Sequence, residues 1–200
     1  NFLTQLNNIK YRGSTARIFF ALNSLPKIEG LNLDQMGTNF SICPTIESLE
    51  RASDAVKYGK ISEKPYVDFN FPSILNPDSS LGNKHILSAT VQYAPYNLRD
   101  QIWDDQSKSI LEKNTVQTIE SVIPNFSTLI ESSYILSPYD IEKEFGLKEG
   151  NLNHGEMTLD QFMFMRPTIS SSQYSTPIKN LYICGGGTHP GGGLHGANGY

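Results

Sequence analysis

The sequence predicts an α+β fold: a mixed β-sheet flanked by helices, followed by the short strand and glycine loop with which an α/β unit begins. Three observations predict it. Runs such as KPYVDFNF and HILSATVQYAPY have the composition of strands and are separated by a turn-rich connection. Two other stretches, TIESLERASDAVKYG and residues 106–122, repeat apolar residues at helical spacing. The last twenty residues, LYICGGGTHPGGGLHGANGY, place eight of the 16 glycines behind a short apolar strand.

Taken in order, ARIFFALNSLPKI has the aromatic and branched content of a strand, stopped by Pro26 and followed by a Gly/Asn/Asp loop to about Thr38. NFSICP reads as a second strand closed by Pro44. Thr45 is placed to cap a helix carrying Ile46, Leu49, Ala52 or Ser53, and Val56, which Gly59 ends. Residues 64–71 alternate Tyr66, Asp68 and Asn70 against Val67, Phe69 and Phe71, the period of a half-buried strand. About a dozen residues later HILSATVQYAPY forms the next strand, so the two are expected to pair antiparallel. The helix over 106–122 carries Ile110, Leu111, Val116, Ile119 and Val122 before Pro124 breaks it. Residues 129–136 read as a strand. Ser137, Pro138 and Gly146 then cap, start and stop a short helix. Residues 147–180 are loop-rich and aromatic, suited to wrapping a site.

Composition is that of an ordinary folded protein, 38% hydrophobic and 18% charged with a mean hydropathy of −0.34. A net charge of −4 and the lack of a Lys/Arg run give no basic field for a phosphate backbone, which argues against nucleic acid as a partner. No apolar stretch reaches the roughly 18 to 20 residues of a membrane-spanning helix, and residues 1–13 lack the layout of a signal peptide. Two cysteines, Cys43 and Cys184, sit among apolar or small residues. They are expected to be reduced and buried, as in the cytoplasm or another reducing compartment such as the mitochondrial matrix.

In the tail, strand and glycines are followed by no Gly-Lys-Ser/Thr, and GxGxxG is not matched in the required form. The run ends at Tyr200 without the helix that such a loop opens, and the chain begins without Met. A piece of a longer protein is therefore expected. His154, His189 and His195 have no carboxylate or cysteine at a metal-ligand spacing, so no metal is expected.

The tail GGGTHPGGG with the blocks IESLERASDAVKYGK, EKPYVDFNFPSILNP, GNKHILSATVQYAPY and SPYDIEKEFGLKEGNLNHGEMTLDQFMFMRP resembles the phytoene desaturase-like FAD oxidoreductases, in the branch similar to pyridine nucleotide-disulfide oxidoreductase domain-containing protein 2. The resemblance covers most of the chain. It implies an α/β parent whose Rossmann-like FAD domain is assembled from both chain ends. On that pattern residues 1–176 are the later part of the substrate-binding domain, and residues 177–200 are the C-terminal strand and loop of the FAD domain. The N-terminal GxGxxG half lies outside this sequence, so the isolated chain is expected to be inactive.

By the same resemblance Gly185, Gly186, Gly187 and Thr188 run past the ribityl or pyrophosphate part of FAD. His189, Pro190, Gly191, Gly192 and Gly193, with Leu194 beyond them, pass close to the flavin ring. Small residues are demanded because a Cβ would collide with a flat ring. His189 either tunes the flavin by hydrogen bonding or steadies the loop, and His154 and His195 carry the same alternatives. Arg166, the positive charge in MFMRP, suits an anionic substrate group or a flavin phosphate, or else an ion pair with a carboxylate. Phe162, Met163, Phe164 and Met165, like Tyr93 and Tyr96, either fill core or line an apolar substrate cavity.

The function implied is hydride transfer between an organic, apolar small molecule and flavin, for which no nucleophile or base is required. Two alternatives stand beside it. One is a non-catalytic binding or interaction domain. The other is a hydrolase using HPGGG as an oxyanion hole, which lacks the Gly-x-Ser-x-Gly nucleophile elbow.

Overall fold

Burial alternates along Thr15–Leu22 (β1) with the period of a strand: Ala16, Ile18, Phe20 and Leu22 are buried and their neighbours are half-buried. This strand lies inside the sheet, with a neighbour on each side, in a computed structural model of the chain, which describes residues 1–76, 82, 84–193 and 196–197. The chain divides into two units, Ser14–Asp140 and the combined segments Asn1–Gly13 and Ile141–Tyr200.

The first of these is built on five strands, β1 with Phe40–Ile42 (β2), Tyr66–Asn70 (β3), His85–Gln92 (β4) and Ile130–Leu136 (β5), in the order β2-β3-β4-β1-β5. The expected α+β class is what forms, with β3 and β4 antiparallel as anticipated. All four pairings are antiparallel, however, and the sheet is not mixed. The reason lies in the insertion of β1. Strands β4 and β5 are joined through a helix and run in the same direction, yet β1 occupies the slot between them and takes both sets of hydrogen bonds.

One face of the sheet carries the core. Ile18, Phe20, Val67, Phe69, Leu87, Ala89 and Val91 point into it, and Leu111 and Ile119 of the helix Asp105–Glu120 belong to the same cluster. Phe126 meets Phe20 edge-on at 5.5 Å between ring centroids. Burying such side chains stabilises by about 1.5–3 kcal/mol each.

The helices follow local signals. Ile46–Lys57 starts at Thr45, whose side chain accepts from the Ser48 amide while the Ser48 hydroxyl accepts from the Thr45 amide. Asp104 caps Asp105–Glu120 through the Ser107 amide at 2.8 Å. In Pro138–Phe145 the Ser137 amide donates to Asp140 Oδ2 at 2.9 Å, and Ser137 Oγ accepts from the Asp140 amide at 3.2 Å. Three short helices, Phe2–Asn7, Leu33–Met36 and Pro72–Leu75, fall where a loop or nothing regular is expected from the sequence. Among the described residues the α-helices, in chain order, are α1 (Phe2–Asn7), α2 (Leu33–Met36), α3 (Ile46–Lys57), α4 (Pro72–Leu75), α5 (Asp105–Glu120) and α6 (Pro138–Phe145).

The second unit is loop-rich, as the composition of residues 147–180 implies, with single 3-10 turns at Lys148–Gly150, Leu159–Gln161, Met163–Met165 and Ile169–Ser171. The strand expected at residues 181–184 does not form. A strand needs a neighbouring backbone along its length, and here only Tyr182 pairs, as an isolated bridge to Ser175. Cys184 is consequently exposed and Cys43 half-buried, both free thiols, where burial was expected. Among the described residues no helix is long and apolar enough to cross a membrane.

Candidate functional site

The block NLNHGEM is shaped by Asn151. Its Oδ1 accepts from the amides of Asn153 at 2.9 Å and Gly155 at 3.1 Å, and its Nδ2 donates to the Tyr11 carbonyl. An asparagine bonded to the backbone two residues on is the side-chain mimic of a turn. It sets His154 at a positive φ of 55° and turns the carbonyls of Asn153, Gly155 and Glu156 toward one point.

Arg166 occupies that point. Only 3% exposed, its guanidinium donates from Nε to the Gln161 carbonyl at 2.6 Å. Nη1 donates to Asn153 at 2.6 Å and Gly186 at 2.8 Å, and Nη2 to Gly155 at 2.7 Å and Glu156 at 3.1 Å. A guanidinium has five N–H groups, and all five meet main-chain oxygen. Neither sequence expectation for Arg166 describes this: its donors are spent on carbonyls, with no carboxylate partner among the described residues. Burial lowers its pKa from the ordinary arginine value, and the carbonyl dipoles replace the water that the cation has lost.

The glycine tail is thereby tied to NLNHGEM. A Cβ at Gly186 would come within 3.1 Å of His154 Cδ2, and one at Gly187 within 3.3 Å of His154 Cβ. At Gly192 it would lie 2.6 Å from Asn153 Oδ1, and at Gly191 3.2 Å from Met157 Cε. These four glycines therefore serve contact with the protein itself. Gly185 differs: it is exposed, its φ is 108°, and nothing lies within 4 Å of a Cβ built there.

Gly185, Gly186, Gly187 and Thr188 form a turn, closed by the Thr188 amide at 3.0 Å and Thr188 Oγ1 at 2.8 Å on the Gly185 carbonyl. The Tyr174 hydroxyl donates to the His189 carbonyl at 3.2 Å. Among the sequence-derived candidates, then, the structure gathers His154, Arg166 and Gly186–Gly187 at one place. Leu194 and His195 lie outside the described residues. Phe162, Met163 and Phe164 are exposed, at 37%, 42% and 64%, and fill no core. Tyr96 lies 6.3 Å from the ring of Tyr139 and belongs to the other unit.

Three contributors escaped the sequence reading. Gln161 pairs with Lys10 like a strand neighbour, its Oε1 accepting from the Lys10 amide at 2.7 Å and its Nε2 donating to the Lys10 carbonyl at 2.9 Å. Arg12 forms a two-pronged pair with Glu156. Asn151 is the third, and the Asn-x-Asn-x-Gly spacing was its available signal. No group of three or more His, Cys, Asp or Glu among the described residues is arranged to hold a metal ion.

No family model matches the chain. It is similar to pyridine nucleotide-disulfide oxidoreductase domain-containing protein 2 of Rattus norvegicus, 33% identical over 99% of this chain and 36% of that protein. It also matches a component of the limonene dehydrogenase of Castellaniella defragrans, 29% identical over 64% of the chain and 23% of the relative. Phytoene desaturase (lycopene-forming) of a Paracoccus species is 23% identical over 97% of the chain and 36% of the relative. The chain spans about a third or less of the length of these relatives. It is thus a homologue of pyridine nucleotide-disulfide oxidoreductase domain-containing protein 2 and, more distantly, of the phytoene desaturases, as its sequence blocks and glycine tail indicate.

Proposed function

We propose that the chain supplies the later part of an FAD-dependent oxidoreductase that moves hydride between an apolar small molecule and flavin. The observation that carries this reading is homology along 99% of the chain to a protein named for an oxidoreductase domain. Two relatives have limonene and phytoene in their names, and the apolar substrate class is taken from them.

In this reading residues 1–176 belong to the substrate domain and residues 177–200 to the cofactor domain, completed by the rest of a longer polypeptide. The tail fits such a cofactor at Gly185, where open space and a bare backbone permit close approach. Gly186, Gly187, Gly191 and Gly192 let the tail seat on NLNHGEM, and Arg166 locks it there, so the exposed turn is held before any ligand arrives. By the resemblance Thr188, His189, Pro190 and Gly193 would follow Gly185 along the cofactor, with Thr188 buried beneath the turn. FAD supplies the hydride chemistry, and the protein orients the substrate and excludes water. The free thiols of Cys43 and Cys184 support a reducing compartment, the cytoplasm or mitochondrial matrix.

The test is the absorbance of the purified full-length protein near ~450 nm, the band of oxidised flavin. A yellow protein is expected. One that stays colourless after incubation with FAD overturns the proposal. Gly185→Val should then lower flavin retention with the apoprotein still folded, its melting temperature reporting separately the strain of a side chain at positive φ.

A further inference from the structure

The sheet face opposite the core carries a row of polar side chains, placed by register. Ser41 pairs with Asp68, Asp68 with Thr90, and Thr90 with Arg17, one residue from each of four adjacent strands. Residues directly opposite one another in antiparallel strands project on the same side. In this row the negative end is already served: Asp68 accepts from the Tyr66 hydroxyl at 2.7 Å and from Ser41. The positive end is not. Arg17 donates to Thr90 Oγ1 and, at 2.8 Å, to Ser88 Oγ, both neutral, and none of the ion pairs among the described residues includes it. Burial lowers its pKa, so the fold holds a half-buried cation with no countercharge among those residues. Two of its five N–H groups are engaged by the hydroxyls, which fix the fork without neutralising it.

Beside this cation lies a flat apolar surface. Arg17 Cζ is 5.5 Å from the ring centroid of Phe19, and Phe19 stacks with Tyr134 of β5 at 6.5 Å and 27°. Tyr134 is 53% exposed. We propose that this face is an acid-binding site, in which Arg17 takes the carboxylate of a ligand whose flat apolar body lies across Phe19 and Tyr134. Charge complementarity selects the carboxylate, and the aromatic pair selects the body. As a substrate subsite it rests on the oxidoreductase reading and narrows it, from an apolar compound to an apolar acid; as a binding site it stands alone.

Naphthoate and its uncharged isostere naphthamide, titrated into the full-length protein, test it. Naphthoate should bind saturably and ~10-fold or more tighter than naphthamide, as expected of a hydrogen-bonded charge pair. Arg17→Gln should abolish that preference and Arg17→Lys keep part of it, while Phe19→Leu weakens both probes. Should Arg17→Gln fail to fold, the Arg17 Nε–H resonance of the unaltered protein still reports, since it must shift as naphthoate is added. Equal binding of the two probes, no saturable binding of either, a preference that survives Arg17→Gln, or an unmoved resonance overturns the site. A colourless protein that prefers naphthoate removes the flavin reading and keeps this one; a flavin-bearing protein indifferent to naphthoate does the reverse.

Discussion

Arg166 reaches across twenty residues to donate from Nη1 to the carbonyl of Gly186 at 2.8 Å. The same guanidinium holds four further carbonyls, so the geometry of the glycine tail and that of NLNHGEM are set by one side chain. Replacing it with an apolar residue removes its five hydrogen bonds to buried or part-buried carbonyls, and each oxygen left without a donor costs about 1–3 kcal/mol. Arg166→Leu should therefore lower stability by about 3 kcal/mol or more in chemical denaturation. Arg166→Lys should recover little, since one ammonium cannot reproduce a five-pronged fork. A loss under about 1 kcal/mol for Arg166→Leu would show that these contacts carry no weight.

Gly192 and Asn153 make a steric pair. Because a Cβ at Gly192 would lie 2.6 Å from Asn153 Oδ1, Gly192→Ala should destabilise by about 1–3 kcal/mol. Asn153→Ala in the same chain should restore most of that loss. Purely additive effects in this double-mutant cycle would mean that the two side chains do not meet.

Gln161 stands in for a strand beside Lys10. Gln161→Ala should release the Lys10 amide, raising its hydrogen-exchange rate by ~10-fold or more, in line with the loss of a part-buried hydrogen bond. An unchanged rate would place the protection of Lys10 elsewhere.

Asp140 links helix α6 to helix α5 through Lys108 at 2.8 Å, with the Ser137 amide and hydroxyl as its other partners. Burial alone would raise its pKa, but the hydrogen bonds from Lys108 and Ser137 outweigh burial and hold it below the ordinary carboxylate value. A depressed carboxylate stabilises fully above its unfolded pKa of about 3.9 and loses that contribution as pH falls through its lower folded value. Asp140→Asn should be the less stable by about 1 kcal/mol at neutral pH, with the gap closing below about pH 4. Equilibrium unfolding of both proteins across that range provides the check, and a gap independent of pH would contradict it.

What could be read from the sequence was what short segments decide by themselves. Thr45 starts α3 and Gly59 follows its end, Ser137 with Pro138 starts α6, and the alternation Val67, Phe69, Phe71 marks a strand half in the core. Strand pairing depended on distant segments, so the insertion of β1 between β4 and β5, which makes the sheet wholly antiparallel, had no local signature. The candidate site divided in the same way. His154, Arg166 and the glycines could be singled out by residue type, and the structure brings them together. That Arg166 would spend itself on five carbonyls could not be foreseen, because those carbonyls converge only after Asn151 and Gly155 have bent the chain. Residues 181–184 have the composition of a strand, but composition does not supply the neighbour that a strand requires.

The chain enters the Ser14–Asp140 unit on β1 and leaves it just after β5, and those two strands are hydrogen-bonded neighbours, with Arg17 opposite Leu136. Doorway and exit therefore share a wall. A segment whose two ends meet in this manner behaves as a cassette: it can be lifted from its host, or set into another, through a single short seam and without rethreading the sheet. The row from Ser41 to Arg17 and the core beneath it lie wholly inside that cassette.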